Sequence, residues 1–364
     1  MTAVKVVFVS SHSGMGGSER YLERLLDRLG PEWIDRVVCL QSGPLTERLT
    51  SRGIPTEIIE TGAGPLAIVS AGRRLKRSLS LRPADVIHAN GVKAALVTAL
   101  AGSRKTIWVK HDFSWDGRLA RFIARRSRMV VGVSAAVLAS IKDVAPTSVV
   151  YNGIDEVIVD RVAARERLRK VVGGEAEVVV LVGRLHPVKG HAELIEAAPE
   201  LLRSRPEARL VFVGGPDPFT PETEPALRAR VAELGIEDSI VFAGHRDDAV
   251  ELMAAADVGT IPSVKLSSKQ GREGFPLTAL ELMMVGTPVV AYASGGVPES
   301  LGECGVLVPE GDRRALAEGI GGLLGDAERR RALAECGGRR VRERFTMNSL
   351  VDAMTKKYLE VAGR

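Results

Sequence analysis

Two acidic side chains flank the start of a predicted helix in the second half of the sequence. Glu273 precedes Pro276, which begins the helix, Glu281 lies within it, and Gly286 ends it. One face of this helix is formed by Leu277, Leu280, Glu281 and Met284. An acid on an apolar face is costly to bury without a partner, and a helix start favours anionic or oxygen-rich ligands. The two carboxylates therefore suggest a ligand that carries several hydroxyl groups and a phosphate.

Two cations follow the apolar run Val178–Val182, which predicts a strand. Arg184 and Lys189 lie in the segment G-R-L-H-P-V-K-G that starts directly after this run. A guanidinium fork and a compact ammonium together suit a diphosphate. Solvated surface charge is the alternative. The presence of the acids Glu273 and Glu281 in the same half of the sequence favours the diphosphate interpretation.

A glycine-rich segment, S-G-M-G-G-S from Ser13 to Ser18, links the first predicted strand to the first predicted helix. Gly16 and Gly17 would let a phosphate approach the backbone N–H groups at the helix start. Glu19 stands where the dinucleotide-binding pattern G-x-G-x-x-G has its third glycine. This counts against a nicotinamide-dependent oxidoreductase. The alternative to a phosphate site is a tight turn between strand and helix that binds no ligand.

The histidines show no spacing that is typical of a metal site. His111 ends a predicted strand, and its position alone fits either a binding site or the core. The other histidines are His12, His88, His186, His191 and His245, with no H-E-x-x-H pattern. Asp247 and Asp248 are adjacent rather than spaced as D-x-D. The sequence therefore predicts no metal site.

Short apolar runs alternate with amphipathic stretches, which predicts parallel sheets covered by helices on both faces. The predicted strands of the first half are Val4–Val9, Val37–Leu40, Glu57–Ile59, Val86–His88, Ile107–Val109, Met129–Val133 and Val149–Tyr151. Those of the second half are Val178–Val182, Leu210–Val213, Ile240–Phe242, Val258–Ile261, Val289–Ala291 and Val306–Val308. The Arg-rich segment Asp160–Arg169 interrupts the pattern, and Lys265–Arg272 predicts a polar loop. We therefore predict doubly wound domains at 1–172 and 173–345, with a C-terminal helix at 346–364 packing back on the first.

The composition narrows the class of protein. A chain of 364 residues with 45% hydrophobic and 26% charged residues is typical of two globular domains. The net charge is +5 and the pI is near 9.2, but aromatic residues make up only 4%, which disfavours nucleic acid as a partner. A phosphorylated small molecule or an anionic membrane surface fits this charge more easily.

Several features predict a cytoplasmic location. The three cysteines, Cys39, Cys304 and Cys336, are far apart in sequence, which argues for a reducing compartment and against a thiolate metal site. The N-terminus shows no signal-type pattern, and no apolar run approaches the ~20 residues that span a bilayer.

A basic amphipathic stretch is the one feature that suggests a membrane. Its cations are Arg118, Arg121, Arg125, Arg126 and Arg128, and a second group is Arg73, Arg74, Lys76 and Arg77. Such a helix could contact an anionic membrane surface peripherally. A solvated helix face in an Arg-rich protein is the alternative.

Taken together, these segments resemble the retaining glycosyltransferases of family 4. The resemblance implies the GT-B fold, in which two Rossmann-like domains face each other across a cleft. The matching pieces run in family order: G-G at Gly16, His111, N-G-I-D at Asn152, G-R…K-G from Gly183, E-G-F-P…E from Glu273, and G-G-V-P-E from Gly295. The loop that ends G-R-E-G-F-P at Pro276 is most similar to the exopolysaccharide-type members.

The resemblance also implies a role for each matching residue. Arg184 and Lys189 would hold the donor diphosphate, and His111 would lie beside the reacting sugar. Glu273 would bind the transferred sugar and Glu281 the ribose. Further donor contacts are implied at Gly16, Gly17, Asn152, Gly183, His245, Arg246, Gly274, Phe275, Pro276 and Leu277. The acceptor side would include His12, Asn90 and Asp112.

The implied reaction moves a sugar from a nucleoside diphosphate to a hydroxyl acceptor, with retained configuration and without a metal or other cofactor. The leaving phosphate would take the acceptor proton while Arg184 and Lys189 stabilise its charge. UDP is favoured over GDP as the carrier, and the acceptor could belong to a glycan, a glycolipid or a secondary metabolite. Asn90 and Asp112 depart from the family pattern at positions that face the acceptor in the family. The resemblance therefore does not predict the identity of the acceptor. A non-catalytic subunit that binds nucleotide-sugars is the alternative, although Arg184, Lys189 and Glu273 are all present.

Overall fold

The computed structural model describes residues 4–14, 16–62, 64–266 and 272–364. Met15 of the glycine-rich segment and residues 267–271 of the predicted polar loop lie outside these ranges. The chain forms two compact units, Met1–Gly153 with Met347–Arg364, and Ile154–Thr346. Each unit contains one parallel sheet covered by helices.

The first unit is built on a seven-stranded parallel sheet. Its strands are β1 (Val6–Ser10), β2 (Ile34–Cys39), β3 (Thr56–Ile58), β4 (Val86–Asn90), β5 (Thr106–Lys110), β6 (Met129–Gly132) and β7 (Thr147–Val149), in the order β3-β2-β1-β4-β5-β6-β7. Its helices are α1 (Gly17–Arg28), α2 (Pro44–Ser51), α3 (Pro65–Leu81), α4 (Val92–Ala101), α5 (Arg118–Arg126), α6 (Ala135–Leu138) and, from the C-terminus, α15 (Met347–Ala362). All seven predicted strands are present, with the last shifted from 149–151 to 147–149.

The core of this unit joins the first helix to the last. The apolar face of α1 is buried at Tyr21, Leu22, Leu25 and Leu26, and Leu29, which follows the helix, is buried as well. Helix α15 adds Met347, Leu350, Met354 and Tyr358 to the same core. The Tyr358 hydroxyl lies 2.7 Å from His88 Nδ1 on β4, so this histidine is a core residue. Burial lowers the pKa of His88 to about 3, which keeps its ring neutral.

The second unit is built on a six-stranded parallel sheet. Its strands are β8 (Glu177–Val182), β9 (Ala208–Val213), β10 (Ile240–Gly244), β11 (Val258–Ile261), β12 (Val289–Tyr292) and β13 (Val306–Val308), in the order β10-β9-β8-β11-β12-β13. Its helices are α7 (Arg161–Val172), α8 (His191–Ser204), α9 (Thr223–Leu234), α10 (Ala249–Ala255), α11 (Leu277–Met284), α12 (Val297–Leu301), α13 (Arg313–Gly325) and α14 (Ala327–Arg344). All six predicted strands are present.

The division between the units falls at Gly153–Ile154 rather than at 172–173. Helix α7, which the sequence placed in the first domain, is bonded to the second unit. Its Arg165 Nη1 donates to Ala255 O at 2.9 Å and lies 3.4 Å from Asp257 Oδ2. The Arg-rich segment that suggested the domain boundary therefore belongs to the second unit, to which Arg165 bonds it.

Two of the three cysteines form a disulfide. Cys304, before β13, is bonded to Cys336 in α14, with Cα atoms 5.2 Å apart across 32 residues of sequence. Cys39 is buried and unpaired. Wide spacing in sequence concealed the pairing, because the fold places the turn after α12 against α14. Disulfides persist in oxidising compartments, so the cysteines do not support the inference of a reducing one. Location in the cytoplasm stays a prediction.

No helix in the described ranges combines the length and the apolar character that crossing a bilayer requires.

Candidate functional site

The predicted cations of the second unit lie where its strand order reverses. From β8 the sheet continues to β9 and β10 on one side and to β11, β12 and β13 on the other. In open α/β sheets, ligands bind outside the carboxyl ends of the strands at such a switch point. The loops that leave β8 and β11 meet here, since Val264 N donates to Val188 O at 3.0 Å.

Gly190 lets these two loops come together. Its φ is +77°, and a Cβ at this position would lie 1.8 Å from Pro262 O. Both the left-handed backbone and the close approach require glycine. Lys189 is therefore held at the end of its short 3-10 helix, Pro187–Lys189, directly before α8.

An ion pair joins the two sides of the switch point. Lys189 Nζ lies 2.5 Å from Glu273 Oε1, with side chains 30% and 14% exposed. Ser263 Oγ donates to the same oxygen at 3.3 Å. The backbone of Glu273 is also fixed, because Gly296 N donates to Glu273 O at 2.9 Å. The sequence named both charged residues separately, and the structure brings them together.

Arg184 is held by an acid that the sequence interpretation missed. Its Nη1 lies 2.5 Å from Asp217 Oδ2. The Asp217 side chain is 1% exposed and also accepts from Phe219 N at 2.9 Å, whereas the Arg184 side chain is 58% exposed. A buried carboxylate thus orients a guanidinium that still faces solvent. The position of Asp217, in a G-G-P-D turn after the strand next to β8, was the available signal.

Helix α11 differs in detail from its prediction. Pro276 is its N-cap and Gly286 follows its end, as predicted. The buried face is formed by Ala279, Leu280, Leu282, Met283 and Met284. Leu277 and Glu281 are instead half-buried, so the expected burial of Glu281 on an apolar face is wrong. The rotation of α11 about its axis leaves the Glu281 side chain partly exposed to solvent. Partial exposure lowers the desolvation cost of its charge.

The other predicted donor contacts of this unit differ in exposure. Gly274 and Phe275 are buried, and the Phe275 ring packs edge-on against Phe345 at 5.3 Å. His245 is 78% exposed after β10. Arg246 is engaged by Asp248 through two hydrogen bonds of 2.8 Å. Gly183 leads from β8 into the Arg184 loop, with its N–H donated to Val213 O at 2.9 Å.

In the first unit, His111 and Asn90 form a pair at the carboxyl ends of β5 and β4. His111 Nε2 lies 2.6 Å from Asn90 Oδ1, while Asn90 Nδ2 donates to Ser18 O at 2.9 Å. Because the amide nitrogen is committed to Ser18, Asn90 Oδ1 accepts and His111 Nε2 donates. Burial lowers the pKa of His111 to about 4, an effect that Asp112 opposes and Lys110 reinforces. A neutral imidazole with N–H on Nε2 offers Nδ1 as a hydrogen-bond acceptor.

The remaining predicted residues of this unit are less constrained. His12 is exposed, with Nδ1 3.2 Å from Gln41 Oε1. Asp112 is exposed and accepts from Ser114 N at 2.8 Å. Gly16 is the N-cap of α1, and a Cβ at Gly17 would meet no atom within 4 Å. Asn152 is 8% exposed at the end of the unit. Local packing therefore does not require glycine at Gly17. The space beside its backbone is empty, so a ligand could approach there.

Comparisons with known proteins place the chain in a family. Residues 15–157 match the family described as Glycosyltransferase Family 4, and residues 176–326 match the description Glycosyl transferases group 1. The two matched segments follow each other and together cover most of the chain. The chain belongs to the family 4 glycosyltransferases.

Solved structures share the fold of this chain. The structure of Anabaena HepE in complex with UDP is 25% identical, with a TM-score of 0.82 over 97% of this chain and 99% of that one. A structure of the same Anabaena protein with UDP-glucose gives a TM-score of 0.80 at 24% identity. The family 4 chain therefore has the GT-B fold of two Rossmann-like domains.

Curated relatives match over shorter segments. The D-inositol 3-phosphate glycosyltransferase of Corynebacterium efficiens is 38% identical over 47% of this chain and 40% of its own length. A GDP-mannose-dependent alpha-(1-6)-phosphatidylinositol monomannoside mannosyltransferase of Mycolicibacterium smegmatis is 34% identical over 61% and 57%. The aligned part thus spans about half the length of these relatives.

Within the described ranges of the chain, no three His, Cys, Asp or Glu residues are grouped so that they could hold a metal ion.

Proposed function

We propose that the chain is a retaining glycosyltransferase that moves a sugar from a nucleoside-diphosphate donor to a hydroxyl acceptor. The observation that carries this proposal is the grouping of Arg184, Lys189 and Glu273 at the switch point of the second unit. The group contains two cations, each paired with one carboxylate, and the Arg184 side chain is still 58% exposed, so a diphosphate could bind the cations while Glu273 binds a sugar.

The proposed roles follow from how each side chain is held. Asp217 fixes one guanidinium nitrogen of Arg184, and the exposed remainder would bind phosphate oxygens. Lys189 would exchange part of its contact with Glu273 for the diphosphate, and Glu273 would accept from sugar hydroxyls. Each partner thus keeps the other in place before the donor arrives, which limits the reorganisation that the reaction requires.

The proposed reaction is a front-face substitution. The acceptor oxygen forms a bond to the anomeric carbon on the side from which the phosphate leaves. The bond from that carbon to the phosphate oxygen breaks, and the acceptor proton passes to the leaving phosphate. Arg184 and Lys189 stabilise the negative charge that develops on the leaving phosphate. Each well-placed hydrogen-bond donor lowers the reaction barrier by about 3 kcal/mol. The reaction is proposed to need no metal or other cofactor.

His111 is proposed to contact the transferred sugar. Its ring is neutral at neutral pH because burial lowers its pKa to about 4. With Nε2 donated to Asn90, its Nδ1 would accept from a sugar hydroxyl. Asn90 would then position the ring, which gives a reason for an amide at this place in the sequence.

The donor is proposed to be a UDP-sugar, with a GDP-sugar as the alternative. The Anabaena structures contain UDP and UDP-glucose, whereas the Mycolicibacterium relative is named for GDP-mannose. The Anabaena structures match 97% of this chain, which favours UDP, whereas the Mycolicibacterium relative matches 61% of it. The similarity to exopolysaccharide-type members also stays a prediction, as do the roles of His245, Arg246 and Glu281.

A panel of UDP- and GDP-sugars tests the proposal. We expect at least one donor to raise the melting temperature of the wild type and to be turned over. Lys189→Ala and Glu273→Ala should fold yet lose nearly all turnover, while Lys170→Ala, at an exposed lysine of α7, should behave as wild type. A non-catalytic subunit would bind a donor without turning it over. Wild-type turnover in Lys189→Ala would refute the assignment of the site.

A further inference from the structure

An apolar groove of about 540 Å³ lies in the first unit, between α3, α4 and the start of α5. Its apolar lining includes Ile68, Val69, Leu96, Leu100, Trp115 and Leu119. All but Trp115 of these are aliphatic. The volume falls within the range of ~300–1,000 Å³ that is typical of small-molecule sites. A groove of this size and lining suits an alkyl or isoprenoid chain.

One end of the groove is polar and lies at the functional edge of the sheet. His12 and Gln41, which follow β1 and β2, are among its lining residues. Lys93, at the start of α4, also lines it and donates from Nζ to Thr61 O at 2.8 Å. His111 and Asn90 lie at the carboxyl ends of the neighbouring strands β5 and β4. The groove thus runs from this edge of the sheet into an apolar surface.

The loop that carries Trp115, the aromatic residue of the groove, is bonded to a buried lysine. Trp115 is 65% exposed and has a φ of +57°, which is unfavourable for a residue other than glycine. Lys110, only 2% exposed, lies 2.9 Å from Asp116 Oδ1, directly after Trp115, and 5.8 Å above the Phe113 ring. An exposed indole in a strained backbone persists only when its surroundings fix it, and such strain is frequent at ligand sites.

We propose that this groove binds an aliphatic chain of the acceptor, so that the acceptor is an amphiphile. The hydroxyl that receives the sugar would lie at the polar end near His12, and the chain would extend along Val69 and Leu96 towards Leu100. The inference rests on the proposed function, because only a transferase has an acceptor. A second copy of this chain is the competing occupant of the groove.

Direct binding of a fluorescent fatty acid, cis-parinaric acid, tests the groove without knowledge of the natural acceptor. The wild type should bind it, and Val69→Asp and Leu96→Asp should weaken binding at least tenfold. Both side chains are partly exposed, so an acid there leaves the core intact. Leu81→Asp is the matched control, since Leu81 is 79% exposed at the end of α3 and does not line the groove. Unlabelled saturated fatty acids should displace the probe about fourfold more tightly for each added methylene.

Parallel readouts separate the possible outcomes. The proposal is overturned if the wild type does not bind the probe or if Val69→Asp binds it equally well. It is also overturned if the wild type is a dimer that Val69→Asp converts to a monomer, because a second copy then covers the groove. The same samples are titrated with the donor panel. A donor response without probe binding refutes the groove alone, whereas probe binding without any donor response refutes its assignment to an acceptor.

Discussion

Replacing Asp217 by asparagine tests whether a buried acid positions the Arg184 guanidinium, which we propose binds the donor diphosphate. Asparagine keeps the shape of the side chain and the oxygen that accepts from Phe219 N, but it removes the charge that faces Arg184. A hydrogen bond to a charged group contributes about 1.5–3 kcal/mol, and the 58% exposure of Arg184 favours the lower end. A loss of about 1.5 kcal/mol corresponds to an about tenfold slower turnover.

A double-mutant cycle identifies the route of this effect. We measure nucleoside-diphosphate release from the donor by wild type, Asp217→Asn, Arg184→Ala and the double variant. If Asp217 acts through Arg184, its loss should cost little once Arg184 is absent, which gives a coupling energy of about 1.5 kcal/mol. Asp238→Asn, at an exposed acid, is the control. Wild-type turnover in Asp217→Asn, or fully additive losses, would refute the reasoning.

Three further predictions concern the backbone, acid stability and the membrane. Gly295→Ala should lower donor turnover at least tenfold, because φ is +56° and the new Cβ would lie 2.2 Å from Glu273 O. His191→Phe should reduce the acid sensitivity of unfolding: burial lowers the pKa of His191 from 6.5 to about 3, so its contribution falls by about 2 kcal/mol between pH 7 and pH 5. Arg121→Glu with Arg125→Glu should weaken co-sedimentation with anionic liposomes.

Each of these has a result that contradicts it. Unchanged turnover in Gly295→Ala would show that the Glu273 backbone need not be held. The unfolded chain protonates His191 below pH 6.5, whereas the folded chain protonates it only near pH 3. The free energy of unfolding must therefore decrease as the pH is lowered from 6.5 towards 3. Equal acid sensitivity in His191→Phe would contradict that sign. Salt-insensitive liposome binding, or the same loss in the control Arg331→Glu, would end the membrane prediction.

The fold was predictable because strand and helix signals in this chain are local. Each of the thirteen strands in the described ranges overlaps a strand predicted from the sequence, and the parallel sheets follow from the alternation of these strands with helices. The predicted boundary at 172–173 was wrong, and the observed one lies at 153–154. The polar residues of α7 look like a break between domains in the sequence, but Arg165 bonds to the backbone of the second unit. The disulfide between Cys304 and Cys336 depends likewise on long-range packing.

The candidate site was predictable as residue types but not as contacts. Arg184, Lys189 and Glu273 were named from their motifs, yet nothing in their spacing gives the pair between Lys189 and Glu273. Asp217 was missed because an acid after a turn is common, and only the neighbouring strand makes it a partner. Glu281 was placed on a buried face because a short helix leaves its rotation poorly determined by sequence.

Proton NMR of a donor panel during turnover tests the central claim most directly. The anomeric proton of the donor sugar reports both its consumption and the configuration of the first product. We expect the wild type to consume at least one UDP- or GDP-sugar and to form a product with retained configuration, and Lys189→Ala to leave the donor intact. A donor panel that the wild type leaves untouched, or a product with inverted configuration, would contradict the account.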